Sequence, residues 1–172
     1  KSVKTIVSRY SKSLVFEAIQ REFYRDGQVF YLLNNVSMLE EKKKEISDRF
    51  PDKKIAFAHG QLRPKELSKV MESFIRKEID LLVCTTIIES GIDIENANTL
   101  IVEESENYGL SQLHQIRGRV GRSKREAYAY FFLNENKELK NKASERIEAL
   151  QENESLLSGF SLAMRDLEIR GA

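Results

Sequence analysis

Val29-Phe30-Tyr31-Leu32-Leu33 is an unbroken apolar run, and the Asp26-Gly27 pair just ahead of it is a stop signal for a preceding helix. A strand with one face in water alternates polar and apolar residues, whereas a parallel strand covered by helices on both faces reads as a continuous apolar run. The chain on either side fits the second case. Upstream, Val3 to Val7 is another such run, followed by Leu14, Val15, Ala18, Ile19 and Phe23 on one helical face. Downstream, Ser37 and Glu40 have capping-box spacing and open a helix carrying Leu39, Ile46 and Phe50. Ile55 to Ala58 is the next strand. Pro64 occupies a first helical position, ahead of Leu67, Val70, Met71, Phe74 and Ile75 facing inward. Leu81 to Cys84, Thr99 to Val102 and Ala127 to Leu133 complete the strands. The alternation predicts an α/β fold, a parallel sheet with helices on both faces. From about Asn136 the pattern changes. Residues 137–151 and 155–168 read as two helices with a polar break near Glu152-Asn153-Glu154, so a helical hairpin over 136–172 follows an α/β domain over 1–135.

Composition narrows the function classes. The chain has 172 residues, is 41% hydrophobic and 32% charged, and nets only +1, which argues against an indiscriminate nucleic-acid binder and requires any such surface to be local. No apolar run approaches the roughly 18 residues of a membrane span, and no signal-peptide pattern is present. The single cysteine, Cys84, lies in an apolar run, so a reducing, cytoplasmic setting without disulfides is expected. The chain starts at Lys1 rather than Met, which reads as a segment of something larger.

Three polar clusters follow strands. They are His59-Gly60-Gln61, then Thr85-Thr86 through Glu89, Gly91 and Asp93, and then Arg117-Gly118-Arg119-Val120-Gly121-Arg122-Ser123-Lys124-Arg125. The last carries five positive charges and no negative one, with glycines that let a tight backbone hold guanidiniums close together. Guanidinium forks match phosphate oxygens, so a polyphosphate, nucleotide or nucleic acid, is the natural partner. Ligands of open parallel sheets bind beyond the carboxyl ends of strands, and the three clusters are expected there as one composite site. Each cluster also has a plainer reading. The third could be a solvated basic loop and His59 a strand cap; Thr86 with Glu89 could be a helix-opening capping box and Gly91-Ile92-Asp93 an ordinary turn. His114 is expected to be structural, without metal.

Thr85-x5-Gly91-x-Asp93 and Gln115-x-x-Gly118-Arg119-x-x-Arg122 resemble motifs V and VI of the second RecA-like lobe of superfamily 2 helicases and translocases, in the right order. Cys84 to Ile94, Gly109 to Gln115 and Arg117 to Ser123 narrow the resemblance to the bacterial transcription-repair coupling factors and the RecG-type fork-remodelling helicases. The ending Ile169-Arg170-Gly171-Ala172 favours the coupling factors.

The resemblance implies a motor lobe of a double-stranded DNA translocase that displaces stalled RNA polymerase and couples transcription to repair. Arg119 and Arg122 would be catalytic arginine fingers, with Arg117, Lys124 and Arg125 as flanking solvated charges, and Gly91, Asp93, Gln115 and Gly118 would line the nucleotide. His59, Gly60, Thr85, Thr86, Arg165 and Arg170 would touch nucleic acid, the last two from a truncated translocation hairpin. ATP and Mg2+ would be held mainly by the first RecA-like lobe, since this chain has neither a Gly-x-x-x-x-Gly-Lys-Ser/Thr loop nor an acidic magnesium box. By itself it is therefore expected to be inactive and to bind no nucleotide tightly. Polymerase and excision-repair proteins would engage other domains. A non-catalytic nucleic-acid-binding module with the same fold and an RNA helicase lobe are the competing readings.

Overall fold

The computed structural model of the chain describes residues 3–85, 96–121 and 124–134. Six strands, β1 (Val3–Arg9), β2 (Gln28–Leu32), β3 (Ile55–Ala58), β4 (Leu81–Cys84), β5 (Ala97–Val102) and β6 (Ala127–Leu133), form one sheet in the order β1-β6-β5-β2-β4-β3. Every pairing is parallel. Among the described residues four α-helices cover it: α1 (Lys12–Tyr24), α2 (Leu39–Arg49), α3 (Pro64–Ile75) and α4 (Leu110–Arg117).

Strand residues alternate between two cores. Val29, Tyr31 and Leu33 pack with Val15, Ile19 and Phe23 of α1 and Leu39 and Ile46 of α2. Phe30 and Leu32 pack with Met71 and Phe74 of α3 and Leu110 and Leu113 of α4. Both faces are thus apolar, which is why the central strands show no polar alternation. The predicted α/β class and the helix faces hold.

Two local expectations change. Asn35, not Ser37, caps the segment before α2: its side chain accepts from Ser37 N at 3.2 Å, and a 3-10 turn over Val36–Met38 delays the helix. Ile75 does not face inward but is half exposed, because α3 ends there and the chain turns at Lys77 with a φ of 64°. Pro64 does begin α3, where its missing N–H costs nothing. The helical hairpin expected over 136–172 lies outside the described residues.

Candidate nucleotide-facing turn and nucleic-acid rim

α1 and α2 lie on one face and α3 and α4 on the other, so the connections leaving the adjacent strands β2 and β5 diverge. A crevice of about 270 Å³ opens above that divergence, between Asn34 and Asn35 after β2 and Glu103, Glu104 and Tyr108 after β5. His59 and Gly60 follow β3 and the buried Thr85 follows β4, so these three occupy the same carboxyl-end rim. His59 Nδ1 accepts from Gln61 N at 3.1 Å and its ring stacks on Phe57, so it does cap its own turn. Beneath the crevice, Glu103 is paired with Lys42 at 3.0 Å and accepts from Tyr31 Oη, while Lys42 also donates to Tyr10 Oη at 3.0 Å. Burial opposes the Lys42 charge, but Glu103 and Tyr10 more than offset it and hold its pKa above the ordinary value.

The arginine turn is not on that rim. α4 runs antiparallel to the strands, and its eight residues, about 12 Å at 1.5 Å per residue, carry the chain part of the way back, the residues that follow reaching the amino ends of β1 and β6. There a Cβ on Gly121 would lie 2.9 Å from Val3 Cγ2 and 3.1 Å from Ala127 Cβ, at the first residues of β1 and β6. The residues expected to form a single composite site therefore fall into two groups, one at each end of the sheet. β6 is seven residues long, which separates them by roughly 23 Å at 3.3 Å per residue.

A second correction concerns Arg117. It is not a flanking solvated charge: it is fully buried, and its Nη1 donates to Thr5 Oγ1 at 3.0 Å. Leu110, Leu113 and Arg117 are the buried residues of α4, at helical spacing on the face that meets the sheet. That spacing was available in the sequence, but the positive charge outweighed it. Arg125, also expected to be free in solvent, donates to the carbonyl of Arg25 at the end of α1, at 2.6 Å. Between these anchors Arg119 is half buried, its N–H donating to Ile116 O at 3.1 Å. Gln115 is exposed on α4, and Gly118 ends the helix by donating to His114 O at 3.0 Å. Lys124 is exposed on the turn. Thr86, Gly91, Asp93, Arg122, Arg165 and Arg170 lie outside the described residues.

Nearby, the fully buried Glu22 of α1 accepts two hydrogen bonds from Arg25, at 2.8 and 2.7 Å, and one from Thr99 of β5. Arg25 in turn lies 5.3 Å from the Tyr128 ring centroid. The hydrogen bond to Glu22 raises the Arg25 pKa further, so the guanidinium stays charged. Sequence reading missed this group, since a Glu and an Arg on an amphipathic helix look like solvated surface. Among the described residues no cluster of His, Cys, Asp or Glu could hold a metal, and no helix is long and apolar enough to cross a membrane.

Residues 12–124 match the helicase conserved C-terminal domain. The chain belongs to that family. It is similar to the transcription-repair-coupling factors of Staphylococcus haemolyticus and Staphylococcus epidermidis, 53% identical to each over 170 residues, which is 99% of this chain and 14% of those proteins. The chain thus spans about one seventh of the relatives it matches. A structure of RecG bound to a three-way DNA junction superposes with a TM-score of 0.83 and 34% identity, over 97% of this chain and 22% of that one. Domain 2 of the DEAD-box protein Mss116p shares the fold, at a TM-score of 0.65 and 19% identity over 78% of this chain and 56% of that one. The RecA-like lobe and the resemblance to coupling factors are both borne out.

Proposed function

We propose that the chain is the second motor lobe of an ATP-dependent double-stranded DNA translocase that displaces stalled RNA polymerase and couples transcription to DNA repair. The observation that carries the reading is the anchored basic turn. A guanidinium reaching for a phosphate loses little freedom on binding when its backbone is already fixed, and Arg119 sits between the buried Arg117 and the wedged Gly121. Arg119 and Arg122 act as arginine fingers on the γ-phosphate of ATP held with Mg2+ by a first RecA-like lobe, stabilising charge that develops on transfer. Gln115 and Gly118 line the same nucleotide, with Gly91 and Asp93 beside the ribose.

At the other end of the sheet, His59, Gly60 and Thr85 face the DNA backbone, which needs no base-specific readout, and Thr86 shares this role. Nucleotide and DNA thus act on opposite ends of one sheet, with α4 packed along it. Arg165 and Arg170 belong to a hairpin over 136–172 that turns lobe closure into movement along DNA. The polymerase and repair functions, and a cytoplasmic location, are supported by the 53% identity to coupling factors. The likeness to RecG supports a second reading, a lobe that remodels branched DNA.

The test uses the full-length protein. Arg119→Ala and Arg122→Ala each lower DNA-stimulated ATP turnover by roughly 10³-fold or more, and Arg→Lys does not restore it because a point charge cannot replace the guanidinium fork. The exposed Lys124→Ala serves as the control. Near-normal turnover in both arginine variants overturns the assignment. Displacement of a stalled polymerase without regression of a branched DNA distinguishes the first reading from the second.

A further inference from the structure

We infer that Thr5, on the edge strand β1, is a positioning residue for the basic turn, acting through the hydroxyl that receives the Arg117 guanidinium. The inference rests on the reading of Arg119 as a phosphate ligand and names what sets that residue's place. Val3 and Thr5 are both buried with the exposed Lys4 between them, so they share the strand face that meets the turn. β1 touches the turn twice through this face: Val3 packs where Gly121 has no side chain, and Thr5 Oγ1 accepts from Arg117 Nη1 at 3.0 Å.

Arg117 holds the backbone that carries Arg119. Its carbonyl accepts from Val120 N at 3.3 Å, and the carbonyl of Ile116 before it accepts from Arg119 N at 3.1 Å. A shift of the Arg117 side chain therefore moves the last turn of α4 and, with it, the direction in which Arg119 leaves. The choice of threonine is informative. At a position this buried, valine has the same shape, and a hydroxyl in such a site costs free energy unless it is hydrogen-bonded. The hydroxyl is met by a guanidinium more than a hundred residues away in sequence, two residues before the proposed finger.

In the full-length protein, Thr5→Val removes the hydroxyl and keeps the shape. Misplacing a transition-state ligand by a fraction of an ångström lowers kcat for DNA-stimulated ATP hydrolysis on the order of ten- to a hundred-fold and leaves KM for ATP nearly unchanged. Thr5→Ser, which restores the oxygen, recovers kcat to within about three-fold. Thr5→Cys, whose sulfur accepts only weakly, falls between, and it carries the test if the valine variant does not fold. A Thr5→Val or Thr5→Cys enzyme with parental kcat overturns the inference. So does a Thr5→Val enzyme whose lost activity matches the fraction unfolded at the assay temperature, or whose loss lies in KM. Failure of the underlying reading is separable: Arg119→Ala would then retain turnover, whereas an inactive Arg119→Ala beside a fully active Thr5→Val removes only the role given to Thr5.

Discussion

Gly121 turns against Val3 with no room for a side chain: a Cβ there would lie 2.9 Å from Val3 Cγ2, and the backbone has a φ of 80°. Both features exclude any other residue at low cost. Gly121→Ala is expected to destabilise the chain by about 1–3 kcal/mol, from the left-handed backbone and the contact together. The shift of the denaturant midpoint measures it. A loss below a few tenths of a kcal/mol would mean that the turn relaxes freely and anchors nothing.

Arg25 is the guanidinium partner of the fully buried Glu22. Removing it leaves a buried carboxylate with Thr99 as its remaining partner among the contacts described above. The Arg25 side chain is 26% exposed, so water can partly replace it. Arg25→Ala is therefore expected to cost about 2–3 kcal/mol, below the 3–5 kcal/mol of a fully enclosed pair. Glu22→Gln, which removes the charge and keeps the shape, is expected to cost less. Equilibrium unfolding of the two variants decides the order.

His114 makes stability depend on pH. Burial first, and the nearby Arg117 charge second, lower its pKa below the ordinary 6.5. The unfolded chain then binds a proton more readily than the folded one, so stability rises with pH across that window. The contribution is fully present above about pH 6.5 and is lost as pH falls through the lowered folded value, before most carboxylates titrate. Unfolding midpoints between about pH 7.5 and pH 5 should fall for the parent chain and flatten in His114→Asn. An unchanged slope in that variant would assign the dependence elsewhere.

The lobe by itself is expected to hydrolyse no ATP, with or without DNA, and to bind nucleotide weakly. An arginine turn without a phosphate loop can contact one side of a triphosphate but cannot enclose it. Calorimetry with ATP and Mg2+ measures the affinity, and a sub-micromolar dissociation constant would show that this lobe holds the nucleotide unaided.

Much of the fold was legible because it is written locally. The apolar run Val29 to Leu33 is a strand buried on both faces, and the Leu67, Val70, Met71 and Phe74 spacing is a helix with one inward face, whatever else the chain does. The glycine-spaced arginines and the segments before them likewise pointed to the family. Only the tertiary structure decided where those residues sit. α4 runs back along the sheet and the residues after it reach Val3 and Ala127, so the turn lies at the amino ends of β1 and β6, while His59 and Thr85 stay at the carboxyl ends. It also decided which charges are buried. Arg117 meets Thr5 across 112 residues of chain, and Glu22 meets Thr99 across 77. Periodicity reports whether a position faces inward. It cannot report which distant group will be waiting there, and that partner determines whether a buried charge is a defect or an anchor.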